Sequence, residues 1–326
     1  MNAPRNGSTR RRARTTFLVV LLGISAWFFA HSLGAHWGEF RAAATTLRPD
    51  WLRTAAASAL VLATYALLVQ SWRALVGGWG GRLAYWRGVR IWTVSNLARY
   101  VPGTLWSVGA MGVLAEGAGV PPAAAAGAAI LNTLLNVAAG FVVLAVAGGD
   151  SLGRLAPRVP HPRALGLALG LAGAVALPVC LPLVTALAAR VLRRERSPAL
   201  PWPTFVGAFV ANVLAWISYG LAFGYFARAV LPAAGANWAG YVAVFTFSYL
   251  AGFLVLLAPG GLLVREGAMV LALVSSGMAS QADALLLAAA QRLWLTVLEV
   301  VPGLAFLAAG AFRRRAEPMR ATPVSK

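Results

Sequence analysis

The sequence predicts an all-α, polytopic integral membrane protein of about eight membrane elements, and three observations carry that prediction. Hydrophobic residues fill 60% of 326 positions and charged residues only 11%, with a mean hydropathy of +0.72, whereas about a quarter of a soluble domain is charged. Six apolar runs come close to the ~20 residues needed to cross a hydrocarbon core. Two further apolar stretches are each interrupted by a Pro-Gly pair with an arginine beside the break, at Arg99 to Gly103 and at Pro259 to Arg265.

In chain order, residues 1–15 form a basic cytoplasmic N-terminus. The run 16–33 follows Arg10, Arg11, Arg12 and Arg14; His31 to Trp37 come after it in place of a small-residue cleavage site, so a retained anchor is expected. A second span covers 51–69. The interrupted stretch 86–117 comes next, then spans at 122–147, 164–189 and 204–230, the second interrupted stretch 239–278, a last span at 284–312 and a basic cytoplasmic tail, 313–326.

Positive-inside counting orients these elements. Each interrupted stretch is taken as a hairpin entering and leaving on one side. The inner loops then hold Arg5, Arg10, Arg11, Arg12, Arg14, Arg73, Arg82, Arg87, Arg90, Arg190, Arg193, Arg194, Arg196, Arg313, Arg314, Arg315, Arg320 and Lys326; the outer ones hold Arg41, Arg48, Arg53, Arg154, Arg158 and Arg163. The excess inside places both termini in the cytoplasm and the chain in the inner, cytoplasmic membrane. With this parity the halves 16–147 and 164–312 run in the same order from opposite sides, as in an inverted repeat, and Pro102 and Pro259 occupy matching elements.

A formal charge of +19 would suit a nucleic-acid partner, but the arginines fall in short clusters between apolar runs, not on one soluble face, so no nucleic acid is expected. Cys180 is the only cysteine, which rules out a disulfide or a multi-thiolate metal site within one chain. His31, His36 and His161 all fall in outer loops and no hydrolase, metalloprotease or paired-aspartate pattern occurs. No enzyme, cofactor or metal is expected. Asn132, Asn136 and Asn212, inside apolar spans, read as hydrogen-bonding glue between helices.

The breaks carry the functional reading. Irregular backbone at membrane depth survives only where protein or a water-filled cavity covers it. In the first break, Asn96-Leu-Ala-Arg99-Tyr100-Val-Pro102-Gly103-Thr104-Leu-Trp106, Pro102 cannot donate a hydrogen bond and Thr104 can cap a new helix. Helix amides beside an arginine make an anion site, and a phosphate would accept both the amides and a bidentate guanidinium. Tyr100 and Trp106 would pack against the lipid. The plainer alternative is a proline kink with Arg99 snorkelling to the interface.

Gly260 and Gly261 offer a second cradle of unencumbered amides, with Arg265 and Glu266 one turn later. Adjacent helix residues point about 100° apart, so each should find a partner on another helix. Arg292 and Glu299, seven residues apart on one face of the last span, are the candidate partners: Glu266 with Arg292 and Arg265 with Glu299 would form a buried charge network. This network either fixes helix packing or gates a polar path.

At these same residues the chain resembles the lysylphosphatidylglycerol synthase transmembrane family, a flippase-like domain also found as stand-alone membrane proteins. Asn96-x-x-Arg99-Tyr100-x-Pro102-Gly103-x-x-Trp106 with Gly119-Val120 resembles its first signature, and Pro259-Gly260-Gly261-Leu-x-Val-Arg265-Glu266-Gly267 with Arg292 downstream its second. Leu263 stands where the family usually has glycine, and Asn132-Thr133 where an acidic-basic pair is common. The resemblance, over roughly residues 15 to 312, implies lipid translocation or lipid handling. Lysyl transfer is not implied, because the bifunctional relatives carry it in a large soluble C-terminal domain and this sequence ends soon after the last span.

The expected function is therefore the binding and translocation of an anionic lipid, phospholipid or polyprenyl-phosphate in type, with Asn96, Arg99, Tyr100, Pro102, Gly103, Thr104, Trp106, Gly260 and Gly261 around the headgroup and Arg265, Glu266, Arg292 and Glu299 lining the path. The alternatives are a non-transporting subunit that docks a lipid-modifying enzyme or glycosyltransferase, and a membrane-embedded transferase using Glu266 or Glu299.

Overall fold

The structure, a computed structural model, describes residues 49–100, 105–149, 153, 159–191, 199–231, 234–254 and 264–316, for some of which, Arg99 and Tyr100 among them, only the backbone is described. Among the described residues the chain is all-helical: α1 Trp51–Gly78, α2 Tyr85–Asn96 running into a 3-10 turn Leu97–Tyr100, α3 Leu105–Glu116, α4 Pro122–Gly148, α5 Pro162–Val191, α6 Trp202–Val230, α7 Trp238–Leu254, α8 Val264–Ser275 and α9 Gln281–Ala316. Five of these, α1, α4, α5, α6 and α9, are long and apolar enough to cross a membrane. The architecture is that of a helical membrane protein. The expected first span, 16–33, lies outside the described residues.

Both interrupted stretches resolve into pairs of short helices, α2 with α3 and α7 with α8, each pair packed on itself. At 1.5 Å per residue a 12-residue helix reaches about 18 Å, well short of a ~30 Å core. Neither α2, α3 nor α8 could cross alone. Pro102, Gly103, Thr104, Gly260 and Gly261 lie outside the described residues, between the paired helices.

One expectation needs correcting. The helix expected over 51–69 continues to Gly78, because Gln70 to Val76 are good helix formers with no breaker until Gly77-Gly78. Arg73, expected in a loop, therefore sits on α1; its Nε donates to the Leu83 carbonyl oxygen at 2.8 Å and its guanidinium lies over the Tyr85 ring at 5.5 Å. The last span holds as one helix, as expected, although it contains a Pro-Gly pair of its own. A third such pair, Pro302-Gly303, sits inside α9 without breaking it, since a transmembrane helix can re-satisfy the freed carbonyl locally. Gly303 is there for close approach: a Cβ on it would stand 3.0 Å from the Thr93 carbonyl oxygen and from Leu97.

The longest interface is between α1 and α6, which run antiparallel. Asp50, capping α1 through the Arg53 amide, donates its own amide to the Ala229 carbonyl near the end of α6. Midway, the Thr64 hydroxyl donates to Ser218 Oγ at 2.7 Å. At the far end Gly78 faces Leu200, Pro201 and Thr204. α5 seats on α4 through a small-residue face: Gly166, Gly170 and Gly173 lie against Ala138, Phe141, Val142 and Ala145, the close backbone contact expected of small-xxx-small spacing.

The first helix of each pair also packs on a long helix distant in the chain: α2 on α9, and α7 on α4 as well as on α6. Both contacts run through a glycine: Thr93 of α2 and Leu97 of the following turn meet Gly303, and Leu250 of α7 meets Gly140.

Candidate functional site

Two groups of buried polar residues lie inside the bundle, and they differ in how completely they are satisfied. The first joins α1, α4 and α6. Ser71 Oγ donates to Asn132 Oδ1 at 2.7 Å; Asn212 Nδ2 donates to Asn132 Oδ1 at 3.2 Å and to the Ala208 carbonyl at 2.8 Å; Asn136 Nδ2 donates to Asn212 Oδ1 at 2.9 Å. The Trp216 indole N–H donates to the Asn136 carbonyl at 2.8 Å. These asparagines are glue between helices, as their place in apolar spans predicts.

The second group lies at the start of α8, which follows the second break. Arg265 and Glu266 stand in its first turn. As their adjacency on a helix requires, they diverge: Glu266 reaches α9, where Arg292 Nε lies 3.6 Å from its Oε1, and Arg265 turns to α7, its guanidinium carbon 3.3 Å from the centre of the Tyr249 ring and 6.0 Å from that of Phe245. The expected Glu266 partner is thus found. The contact partner of Arg265 is the ring of Tyr249 in place of the expected Glu299, while Glu299, Glu266 and Arg292 remain its electrostatic neighbours. All four expected charges belong to one cluster.

This cluster sits in apolar surroundings. Arg265 is 7% exposed, and the Arg292 and Glu266 side chains 17% and 18%. A buried ion needs both a counter-charge and hydrogen bonds, and the second requirement goes unmet: Arg265 Nε and Nη2 and both carboxylate oxygens of Glu266 have no hydrogen-bond partner among the described residues. Thr246 Oγ1 on α7 and Gln291 Nε2 on α9, both fully buried, are in the same condition.

A continuous aromatic wall leads from the cluster to the first helix pair. Tyr249 packs on Phe245, Tyr219 and Trp216; Tyr219 meets Tyr65, and Tyr65 meets Trp92 of α2. Offset and edge contacts of this kind contribute ~0.5–1.5 kcal/mol per pair beyond area burial. The wall holds the face on which Arg265 lies.

At the first break less can be placed. Asn96 ends α2 and is buried, and Trp106 opens α3 half exposed. Arg99 and Tyr100 continue the chain as a 3-10 turn, their side chains outside the described residues. Leu97, on that turn, packs against Gly303 of α9, the helix that carries Arg292 and Glu299.

Sequence reasoning missed Tyr249, Thr246 and Gln291. Gln291, a lone amide in mid-span beside Arg292, was open to detection as a polar group in hydrocarbon. Tyr249 gave no local signal, since it becomes a partner only when α7 folds back on α8. Among the described residues no three His, Cys, Asp or Glu side chains gather that could hold a metal ion. No protein-family profile matches the chain, and no curated protein matches it.

Proposed function

We propose that the chain is a flippase-like protein of the kind its two Pro-Gly signatures resemble, moving or sheltering an anionic lipid headgroup through a polar interior between two inverted halves of the cytoplasmic membrane. The supporting observation is the charge cluster at the second helix break. Arginine in mid-membrane costs about 2.5–3.5 kcal/mol on insertion scales, and a helical bundle that keeps Arg265, Glu266 and Arg292 inside, with Arg265 Nε and Nη2 and the Glu266 carboxylate lacking hydrogen-bond partners among the described residues, has an interior suited to polar cargo. The packing of α2 on α9 and of α7 on α4 supports the repeat, whose corresponding breaks are the pattern of transporters with midplane sites built from interrupted helices.

In this reading the Arg99 turn and the amides of Gly103 and Thr104 take the phosphate, Gly260 and Gly261 form the second cradle, and the Arg265–Glu266–Arg292–Glu299 cluster controls passage. Eight elements, the 16–33 anchor included, with both termini cytoplasmic, complete the arrangement. The test is translocation of headgroup-labelled phosphatidylglycerol in liposomes: Arg99→Ala and Arg265→Ala should each slow it severalfold at normal folded yield. Wild-type rates in both variants would remove the assigned roles.

A docking role for a lipid-modifying enzyme has its own support in the turn between α1 and α2 and the start of α2, where Arg82, Trp86, Arg87 and Arg90 are all exposed. Copurification of such an enzyme without lipid movement by the isolated chain would favour it.

A further inference from the structure

We propose that the Nε–Nη2 edge of Arg265 is itself an oxyanion site, contacting the phosphate directly instead of only gating its path; the inference rests on the lipid-handling reading and gives one residue of it a defined chemistry. A guanidinium has two ways to interact, and they are geometrically separate. Its face stacks on aromatic rings, while its N–H bonds leave in its plane. Tyr249 occupies the face, with 3.3 Å between the guanidinium carbon and the ring centre, and so leaves the in-plane donors untouched. Nε and Nη2 are the two donors of one side-on fork, and both are buried without a hydrogen-bond partner among the described residues.

Three further features decide what such a fork would take. Arg292 lies against Glu266, so the carboxylate nearest in sequence to Arg265 is already directed to another cation. Arg265 is in the first turn of α8, a 12-residue helix whose first amides lack intrahelical acceptors and whose dipole favours negative charge. Both fork atoms are shut off from solvent, where a charge-assisted bond is stronger than in water. Two parallel donors beside a helix N-terminus match two oxygens of one anionic centre, as on a phosphodiester or free phosphate. A point cation would not substitute, because lysine lacks the fork.

The test measures binding to the full chain in uncharged maltoside, with three probes: dihexanoyl phosphatidylglycerol, inorganic phosphate, and dihexanoylglycerol, which lacks phosphate. The expected result is saturable binding of the first, no binding of the third, and a loss of about ten- to a hundredfold in Arg265→Gln, the size of one or two charge-assisted hydrogen bonds. Arg265→Lys should fail to restore it although the charge is kept. Binding of inorganic phosphate with the same dependence on Arg265 would assign the site to the oxyanion alone; binding of the lipid only would assign it to the headgroup with its chains. Equal affinities for wild type and Arg265→Gln, or full rescue by lysine, would overturn the inference. Translocation measured on the same preparations separates the two claims: a wild-type chain that moves lipid while Arg265→Gln binds normally refutes the fork and leaves the transport reading, whereas fork-dependent binding without movement does the reverse.

Discussion

The asparagine group joining α1, α4 and α6 and the charge group at the start of α8 pose the same problem, polar side chains inside an apolar bundle, and they solve it in opposite ways. In the first, donors and acceptors meet each other: Ser71, Asn132, Asn136 and Asn212 form a connected set across three helices. In the second, Glu266 and Arg292 approach only to 3.6 Å, and Arg265 has its face on Tyr249 while Nε and Nη2 find no hydrogen-bond partner among the described residues. Buried polar groups are ordinarily hydrogen-bonded, so a cluster that leaves several unmet needs a reason. The contrast is between polar groups whose hydrogen bonds are met within the bundle and polar groups whose hydrogen bonds are not met among the described residues.

The largest expected effect on stability lies in the satisfied group. Asn212→Leu removes the side chain that meets Asn132, Asn136 and the Ala208 carbonyl; with ~0.6 kcal/mol per interhelical hydrogen bond, the chain should lose about 1–3 kcal/mol in reversible unfolding in bicelles, with binding of dihexanoyl phosphatidylglycerol unchanged in the folded fraction. An Asn212 variant of wild-type stability but impaired binding would invert the comparison. Arg265→Gln should fall in between, within about 1 kcal/mol of wild type and of either sign, because removing an ion that lacks its hydrogen bonds also removes its desolvation cost. A loss matching that of Asn212→Leu would show that the charge group is structural after all. Smallest is Thr64→Val, which gives up the single bond to Ser218 between α1 and α6 and should cost about 0.5 kcal/mol with no change in binding.

Much of the fold was legible because hydrocarbon imposes one-dimensional rules on a chain. A run of apolar residues must be a helix, so α1, α4, α5, α6 and α9 could be drawn from composition, and the breaks between α2 and α3 and between α7 and α8 from proline and glycine. Pro302-Gly303 marks the limit of that rule: the same two residues leave α9 whole and serve packing against α2. Of the site, the pairing of Glu266 with Arg292 was readable, since charges in oil need counter-charges and few were on offer. Tyr249 was not, because any aromatic residue in an apolar helix looks alike until its neighbours are known.

Sequence alone therefore determined that this chain is a helical membrane protein with two interrupted elements and a few charges that had to find company, because apolar length, helix breakers and the cost of burying an ion are properties of short stretches of chain. Only the tertiary structure decided that α2 packs on α9 and α7 on α4, and that Arg265 lies on Tyr249 with Nε and Nη2 unmet among the described residues. Those are contacts between elements far apart in the chain, set by which helix faces can approach through Gly140, Gly303 and the glycines of α5, and no local rule contains them.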